Sequence, residues 1–185
     1  MGELGLVQAF VNTVDMDPGV EELKDPNTLQ AWLVANGLMS GDNPVDEPDL
    51  KNALAVREAM RGVIGGNSGL PIYPVDLATL NSAAAASRLR MRFALDEKGG
   101  RPRLEPEASG ATGAIGRLVA ALYSAMQDEE WDRLKLCGSD TCRWVFYDRS
   151  KNHSSRWCNM ASCGNREKAR RFRQKGTAAS APPQG

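Results

Sequence analysis

The chain has 185 residues, 42% of them hydrophobic and 25% charged, enough for one ordinary domain plus a small module, each with a buried core. No run approaches the ~18 apolar residues of a membrane helix. The start MGELGLVQAF has Glu3, no basic flank, and Leu6 where myristoylation needs Ser or Thr, so the expected compartment is the cytoplasm.

The net charge of zero conceals −9 over residues 1–132 and +9 over residues 133–185. Two such halves would meet a polyanion very differently. The plainer explanation is that the opposite charges dock the halves on each other.

Leu4 to Val14 is apolar with neither a 2.0 nor a 3.6 period, so helix and buried strand both stay open. Asp25-Pro26-Asn27-Thr28 signals a helix start, with Leu29, Trp32 and Leu33 following and Gly37 as its stop. After a polar loop from Gly41 to Pro48, Asp46 or Glu47 begins a second helix. Ala53, Val56, Met60, Val63 and Ile64 recur there at helical spacing, and Gly65-Gly66-Asn67-Ser68-Gly69 ends it. A third helix follows Pro74, with Leu77, Leu80 and Ala84 on one face.

From Arg88 to Asp96 the period becomes two: Leu89, Met91, Phe93 and Leu95 alternate with Arg88, Arg90, Arg92 and Ala94, which predicts a strand with one buried face. Lys98-Gly99-Gly100 turns the chain back along Arg101 to Glu105 as a hairpin. The arginine stripe suits the solvated side of that sheet better than an anion site. A long helix is expected from about Ser109 to Trp131, with Ile115, Leu118, Val119, Leu122 and Met126 on one side. The long helix and the hairpin could frame a ligand pocket. Asn12 and Asp15 could line a site, although polar residues after an apolar segment more often terminate it. The small, polar tail Gly176 to Gly185 is expected to be disordered.

All four cysteines lie near the C-terminal end, as C-x4-C-x15-C-x4-C. With thiols kept reduced, two close pairs separated by a hairpin-length stretch suit a tetrahedral four-cysteine zinc site at Cys137, Cys142, Cys158 and Cys163. An iron–sulfur cluster and two disulfides are the alternatives this spacing leaves open. Between the pairs, Trp144-Val145-Phe146-Tyr147 is strand-like, Asp148 to Asn152 turn-like, and Arg156-Trp157 leads back to Cys158. Cys163 then opens a helix running to Lys175. Knuckle, hairpin, and a helix whose first turn supplies the last ligand make a treble clef, and the helix N-terminus favours the thiolate. Four thiolates close the coordination sphere, so such a zinc is structural and supplies much of the module's folding energy. Trp144, Phe146, Trp157 and Phe172 are the expected core around it. His153 suits exposure or a phosphate contact better than ligation. Asp148 is expected to brace the hairpin through Arg149, Arg156 or Arg166.

The stretch Cys137 … Cys142-Arg143 … Phe146-Tyr147-Asp148-Arg149-Ser150-Lys151-Asn152 … Arg156-Trp157-Cys158-Asn159-Met160 … Cys163-Gly164-Asn165-Arg166 … Lys168 closely resembles the CGNR zinc-finger family. In that family the finger follows an ABATE domain, and the proteins are regarded as stress-induced transcription regulators. Val11-Asn12-Thr13, the Leu29–Trp32–Leu33 helix start and the long helix before the first cysteine are similar to that domain. The resemblance implies regulation by DNA binding. Trp144 departs from the smaller apolar residue expected at its position.

The predicted architecture is α+β. A mainly helical ABATE-like domain with a β-hairpin spans residues 1–132 and serves sensing or partner binding. A treble-clef finger spans residues 133–175, and the tail spans 176–185. On the final helix, Arg166, Arg170 and Arg173 cluster on one side, with Lys168, Arg171 and Lys175 nearly opposite. Asn165, Ala169 and Phe172 form an apolar stripe expected to face the zinc hairpin. With Arg143, Arg149, Lys151 and Arg156, these ten cations are the candidate nucleic-acid contacts. RNA or an acidic protein is the alternative partner for the same surface. An enzyme has little support: there is one histidine, no phosphate-binding glycine loop, no nucleophile elbow and no carboxylate–histidine metal motif.

Overall fold

The computed structural model describes residues 2–96 and 99–179. The ambiguous first segment is a helix, α1 (Glu3–Val11), whose Val7, Phe10 and Val11 are buried at the i, i+3, i+4 spacing of one helical face. A two-residue ribbon, β1 (Val14–Asp15) and β2 (Val20–Glu21), turns the chain toward α2 (Pro26–Ala35). There Asp25 accepts the Thr28 amide at 2.8 Å while Thr28 Oγ1 accepts the Asp25 amide at 3.0 Å. This capping box satisfies two amides, and Pro26 lacks the amide hydrogen that would otherwise be orphaned. Gly37, at φ +69, lets the backbone leave the helix. Asp46 and Asp49 form a second box at the head of α3 (Glu47–Gly66).

α3 is the central helix. Its Leu50, Ala53, Val56, Met60 and Ile64 pack into one core with Phe10, Leu29, Leu33, Ile115 and Leu118. Two of its arginines, Arg57 and Arg61, are also buried, at 5% and 1% exposure. Nothing in the hydrophobic period marks them, because a buried guanidinium is set by partners distant in sequence.

α4 (Pro74–Ala86) packs on α3 through Ala83, Leu80 and Ala84, while Leu77 is exposed. β3 (Leu89–Asp96) and β4 (Gly99–Pro106) form the expected antiparallel hairpin, in register from Leu89 opposite Pro106 to Asp96 opposite Gly99. Lys98, part of the expected turn, lies outside the described residues. The buried face expected of β3 does not form: Leu89 touches the core, but Met91 and Phe93 are 61% and 81% exposed. The arginine stripe is solvated, with Arg90 2.9 Å from Glu107 and Arg92 3.5 Å from Glu105. α5 (Gly110–Met126) stops short of Trp131. It buries Ile115, Leu118, Val119 and Leu122 but leaves Met126 exposed, and a single 3-10 turn spans Trp131–Arg133. The long helix and the hairpin do frame a cleft of about 550 Å³, lined by Leu104, Pro106, Arg117 and Ala121 together with Leu6 and Leu38.

β5 (Leu134–Leu136) pairs antiparallel with β6 (Val145–Tyr147), so the first cysteine pair sits in the connection at the tip of this hairpin. The sequence suggested a hairpin between the two cysteine pairs. Instead the partner strand precedes the first cysteine, and residues 148–158 form a strandless connection. A π-helical turn, Met160–Gly164, leads into α6 (Asn165–Ala179). That helix takes in residues 176–179 of the segment read as a disordered tail, and Ser180 to Gly185 lie outside the described residues. The whole is α+β, with Leu134, Leu136 and Val145 of the last hairpin seated in the main core.

Candidate metal centre and the basic surface beside it

Each sulfur of the centre comes from a different kind of backbone. Cys137 leaves β5, its amide bonded to the Trp144 carbonyl at 2.8 Å, and Cys142 closes the turn through an amide bond to Ser139 O at 3.0 Å. Cys158 ends the connection after β6, and Cys163 lies in the π turn that launches α6. All four Sγ atoms fall within 4.8 Å of one another. The Cys142–Cys158 and Cys158–Cys163 sulfur distances are 3.7 and 3.8 Å. A tetrahedron of sulfurs about 2.3 Å from a central zinc has edges of about 3.8 Å, so the spacing fits one ion. It is far above a disulfide's ~2.05 Å, which removes the paired-disulfide alternative. Four sulfurs this close enclose a single ion rather than a multi-iron cluster.

The electrostatics also call for a cation. Burial, aided by the other sulfurs, pushes the Cys142 thiol up to about 12 and Cys158 higher still. For Cys163, burial acts in the same direction, but hydrogen bonds from Cys142, Cys158 and Cys137 outweigh it and hold its thiol below the ordinary value. The bare pocket thus stabilises one thiolate served by its neighbours. A divalent ion is what makes four thiolates compatible with this burial.

Around the sulfurs, Phe146 is buried and Trp144 and Trp157 are half-buried. Phe172, placed in the same core by the sequence, is 81% exposed. The glycine of the Cys163-Gly164-Asn165-Arg166 motif is required by packing. A β-carbon at Gly164 would lie 2.4 Å from Met160 Sδ and 3.2 Å from Trp157 Cδ1. Asn159 caps the turn by accepting the Ala161 amide at 2.8 Å.

Asp148 does brace the loop, but its partner is Lys135 at 2.9 Å rather than an arginine. It also accepts the Ser150 and Ser155 amides, both at 2.9 Å, and its side chain is fully buried. Burial alone would raise its carboxyl. The lysine and the amides reverse that and hold it well below the usual carboxylate range. Lys135 further donates to the His153 carbonyl. His153 is half-exposed, with Nδ1 3.3 Å from Asp132, and stands outside the sulfur cluster.

Three polar clamps tie this module to the helices, and the sequence pattern revealed none of them. The Asn12 amide donates to Val145 O at 2.7 Å and accepts from Val145 N at 2.9 Å. Arg61 donates to Arg143 O at 2.8 Å and to Val11 O, while its Nε holds Glu58 at 3.0 Å. Arg57 beside it pairs with Glu21 at 2.7 Å and reaches Thr13 Oγ1 at 3.1 Å. Val11-Asn12-Thr13 is therefore the docking element for the finger. Asp15 lines a cleft beside the sulfurs.

The third clamp is on α6. Arg166 forks onto Asp17, at 2.5 and 2.7 Å, and those bonds hold the Asp17 carboxyl below its ordinary range. Arg170 pairs with Glu167 at 2.9 Å and approaches Asp140 at 3.5 Å. It is thus the arginine side of α6 that meets the body, while Asn165, Ala169 and Phe172, expected to face inward, are exposed. The charge-docking explanation holds for Arg166 and Arg170. Arg143, Arg149, Lys151, Arg156, Lys168 and Arg173 are exposed, with Arg156 stacked over Trp157 at 5.4 Å and Arg173 reaching Ala169 O at 3.3 Å. The side chains of Arg171 and Lys175 lie outside those described. Among the described residues no helix is long and apolar enough to cross a membrane.

Comparison with known proteins agrees with this geometry. The CGNR zinc-finger model matches residues 133–176, and the ABATE model, described as "Putative stress-induced transcription regulator", matches residues 4–128. No curated protein matches the chain. The cofactor implied by the clustered sulfurs and the finger match is one structural zinc ion. With the ABATE model covering more than half its length and a CGNR zinc finger following, the chain belongs to the ABATE family of transcription regulators.

Proposed function

We propose that the chain is a cytoplasmic, non-enzymatic transcription regulator. Residues 133–175 bind duplex DNA, and residues 1–132 sense a ligand or a partner. Cys137, Cys142, Cys158 and Cys163 are the zinc ligands. The observation that carries the reading is the charge left exposed on the finger after folding. Its acids are occupied, Asp148 by Lys135 and Glu167 and Asp140 by Arg170, while Arg143, Arg149, Lys151, Arg156, Lys168 and Arg173 face solvent. A surface of this kind neutralises phosphates and releases counterions, and arginines can fork onto guanine edges. α6 is the element that enters a groove. Its Lys168 side leads, joined by Arg171 and Lys175, because Arg166 and Arg170 are held toward the body.

Sensing is supported by a cleft of about 500 Å³ between α3 and the knuckle, lined by Glu58, Arg61, Tyr73, Asp76, Leu136 and Arg143. Its volume suits a small molecule, and an occupant would touch both the helices and the finger.

The test is affinity for duplex DNA across a salt series. Engagement of five phosphates gives a log–log slope near −4.5, at roughly −0.9 per phosphate. A flat series, or no binding in low salt, contradicts the proposal. Tighter binding to structured RNA, or to an acidic protein in competition, would reassign the surface.

A further inference from the structure

The four cysteines are not equivalent. Cys137, Cys142 and Cys163 are buried, whereas Cys158 is half-buried. An open cleft of about 320 Å³ reaches the centre from the side of the N-terminal ribbon. Cys142, Cys158 and Cys163 line it together with Asp15, Asp17 and Trp144, and Cys137 lies outside its lining. Cys158 makes both close sulfur contacts, 3.7 Å to Cys142 and 3.8 Å to Cys163. A small neutral oxidant entering this cleft therefore meets first the one sulfur that already has two resolving thiolates beside it.

We propose that Cys158 is a peroxide-modification site, and that its oxidation closes a disulfide with Cys142 or Cys163 and dismantles the zinc centre. The Cys158 thiolate attacks one oxygen of hydrogen peroxide. The O–O bond breaks, hydroxide leaves, and Cys158 becomes a sulfenic acid. The neighbouring thiolate then attacks the Cys158 sulfur, the S–O bond breaks, and a second hydroxide leaves as the S–S bond forms. Two thiolates lose two electrons and the peroxide gains two. The closing sulfurs move from about 3.7 Å to a bond of ~2.05 Å. Two of the four ligands are then gone, and a four-thiolate site reduced to two no longer closes around zinc. Since Cys163 lies in the turn that launches α6, the basic helix loses its anchor on that side.

The experiment uses the full chain loaded with zinc, whose metal content is measured first. Hydrogen peroxide is added, released zinc is followed with a chromophoric chelator, sulfenic acid is trapped with dimedone, and adducts and disulfides are mapped by mass spectrometry. The expected result is dimedone appearing first on Cys158, one zinc lost per disulfide formed, and that disulfide joining Cys158 to Cys142 or Cys163. Dithiothreitol with added zinc should restore the starting metal content. A first adduct on another cysteine, a Cys137–Cys142 disulfide, or zinc retained while free cysteine in the same solution is consumed would overturn the proposal. A chain that holds no zinc before peroxide is added would contradict the metal centre itself, so the two failures are distinguishable. Neither result depends on nucleic-acid binding.

Discussion

Replacing Asn12 by alanine should loosen the finger from the helices without touching a zinc ligand. In the β5–β6 ladder the bonds Cys137 N to Trp144 O and Asp148 N to Arg133 O set the alternation. Val145 then occupies a position whose own amide and carbonyl point away from β5. Asn12 meets both groups, at 2.9 and 2.7 Å, and acts as a third strand one residue long. Val145 is fully buried and Asn12 is 8% exposed, so water is a poor substitute. The carbonyl keeps a weaker bond from Gln8 at 3.3 Å, but the amide has no second partner among those described. One buried N–H left unpaired and one carbonyl partly paired cost about 2–4 kcal/mol together. For a chain of this size that is a drop in Tm of roughly 5–15 °C. Asn12→Asp should be as damaging, because a carboxylate can accept the amide but meets the Val145 carbonyl with like charge. Gln8→Ala should cost less than about 1 kcal/mol. Urea unfolding followed by circular dichroism, with zinc content checked in parallel, measures all three. A cost below about 0.5 kcal/mol for Asn12→Ala in a zinc-loaded chain would refute the clamp, as would an undisturbed Asn12→Asp.

Other consequences are equally direct. Lys135→Met leaves the Asp148 carboxylate buried without its cation and should cost about 3–5 kcal/mol, read from the urea midpoint. Because the folded-state carboxyl of Asp148 lies below its ordinary 3.8, its contribution is fully present above that pH and fades as the pH falls below it. Asp148→Asn, measured against wild type over that acid limb, should therefore show a smaller loss of stability with falling pH. Asp17→Ala frees Arg166 for a phosphate. It should keep zinc and steepen the DNA salt slope by about 0.9, and an unchanged slope would mean that Arg166 stays committed to the protein. Stripping zinc with a chelator should expose the amides of residues 158–175 to hydrogen exchange while α3 and α5 stay protected, because their core is formed without the metal.

The fold was legible where the signal is local. Asp25-Pro26-Asn27-Thr28 and Asp46 mark helix starts by chemistry that closes within four residues, and both caps form. The cysteine spacing was enough to bring four sulfurs together, since each pair needs only a tight turn. What failed was coverage. Alternation in Leu89, Met91 and Phe93 identifies an apolar face, yet nothing in the strand says whether another element lies on it, and here only Leu89 reaches the core. Phe172 was misplaced for the same reason: the ion pairs of Arg166 and Arg170, formed with residues far away in the chain, turn α6 the other way. Strand pairing is likewise non-local. Trp144 to Tyr147 looks like a strand, but its partner is Leu134–Leu136 rather than the residues that follow. Arg57, Arg61 and Asn12 were legible only as polar letters, because their meaning resides in carbonyls and carboxylates tens of residues away.

The account depends above all on four thiolates held by one ion. Native mass spectrometry of the purified chain, beside the mass of the denatured chain, reads this directly. One zinc per chain with all four cysteines reduced is the predicted result. A metal-free chain four mass units light, with two disulfides, would contradict it.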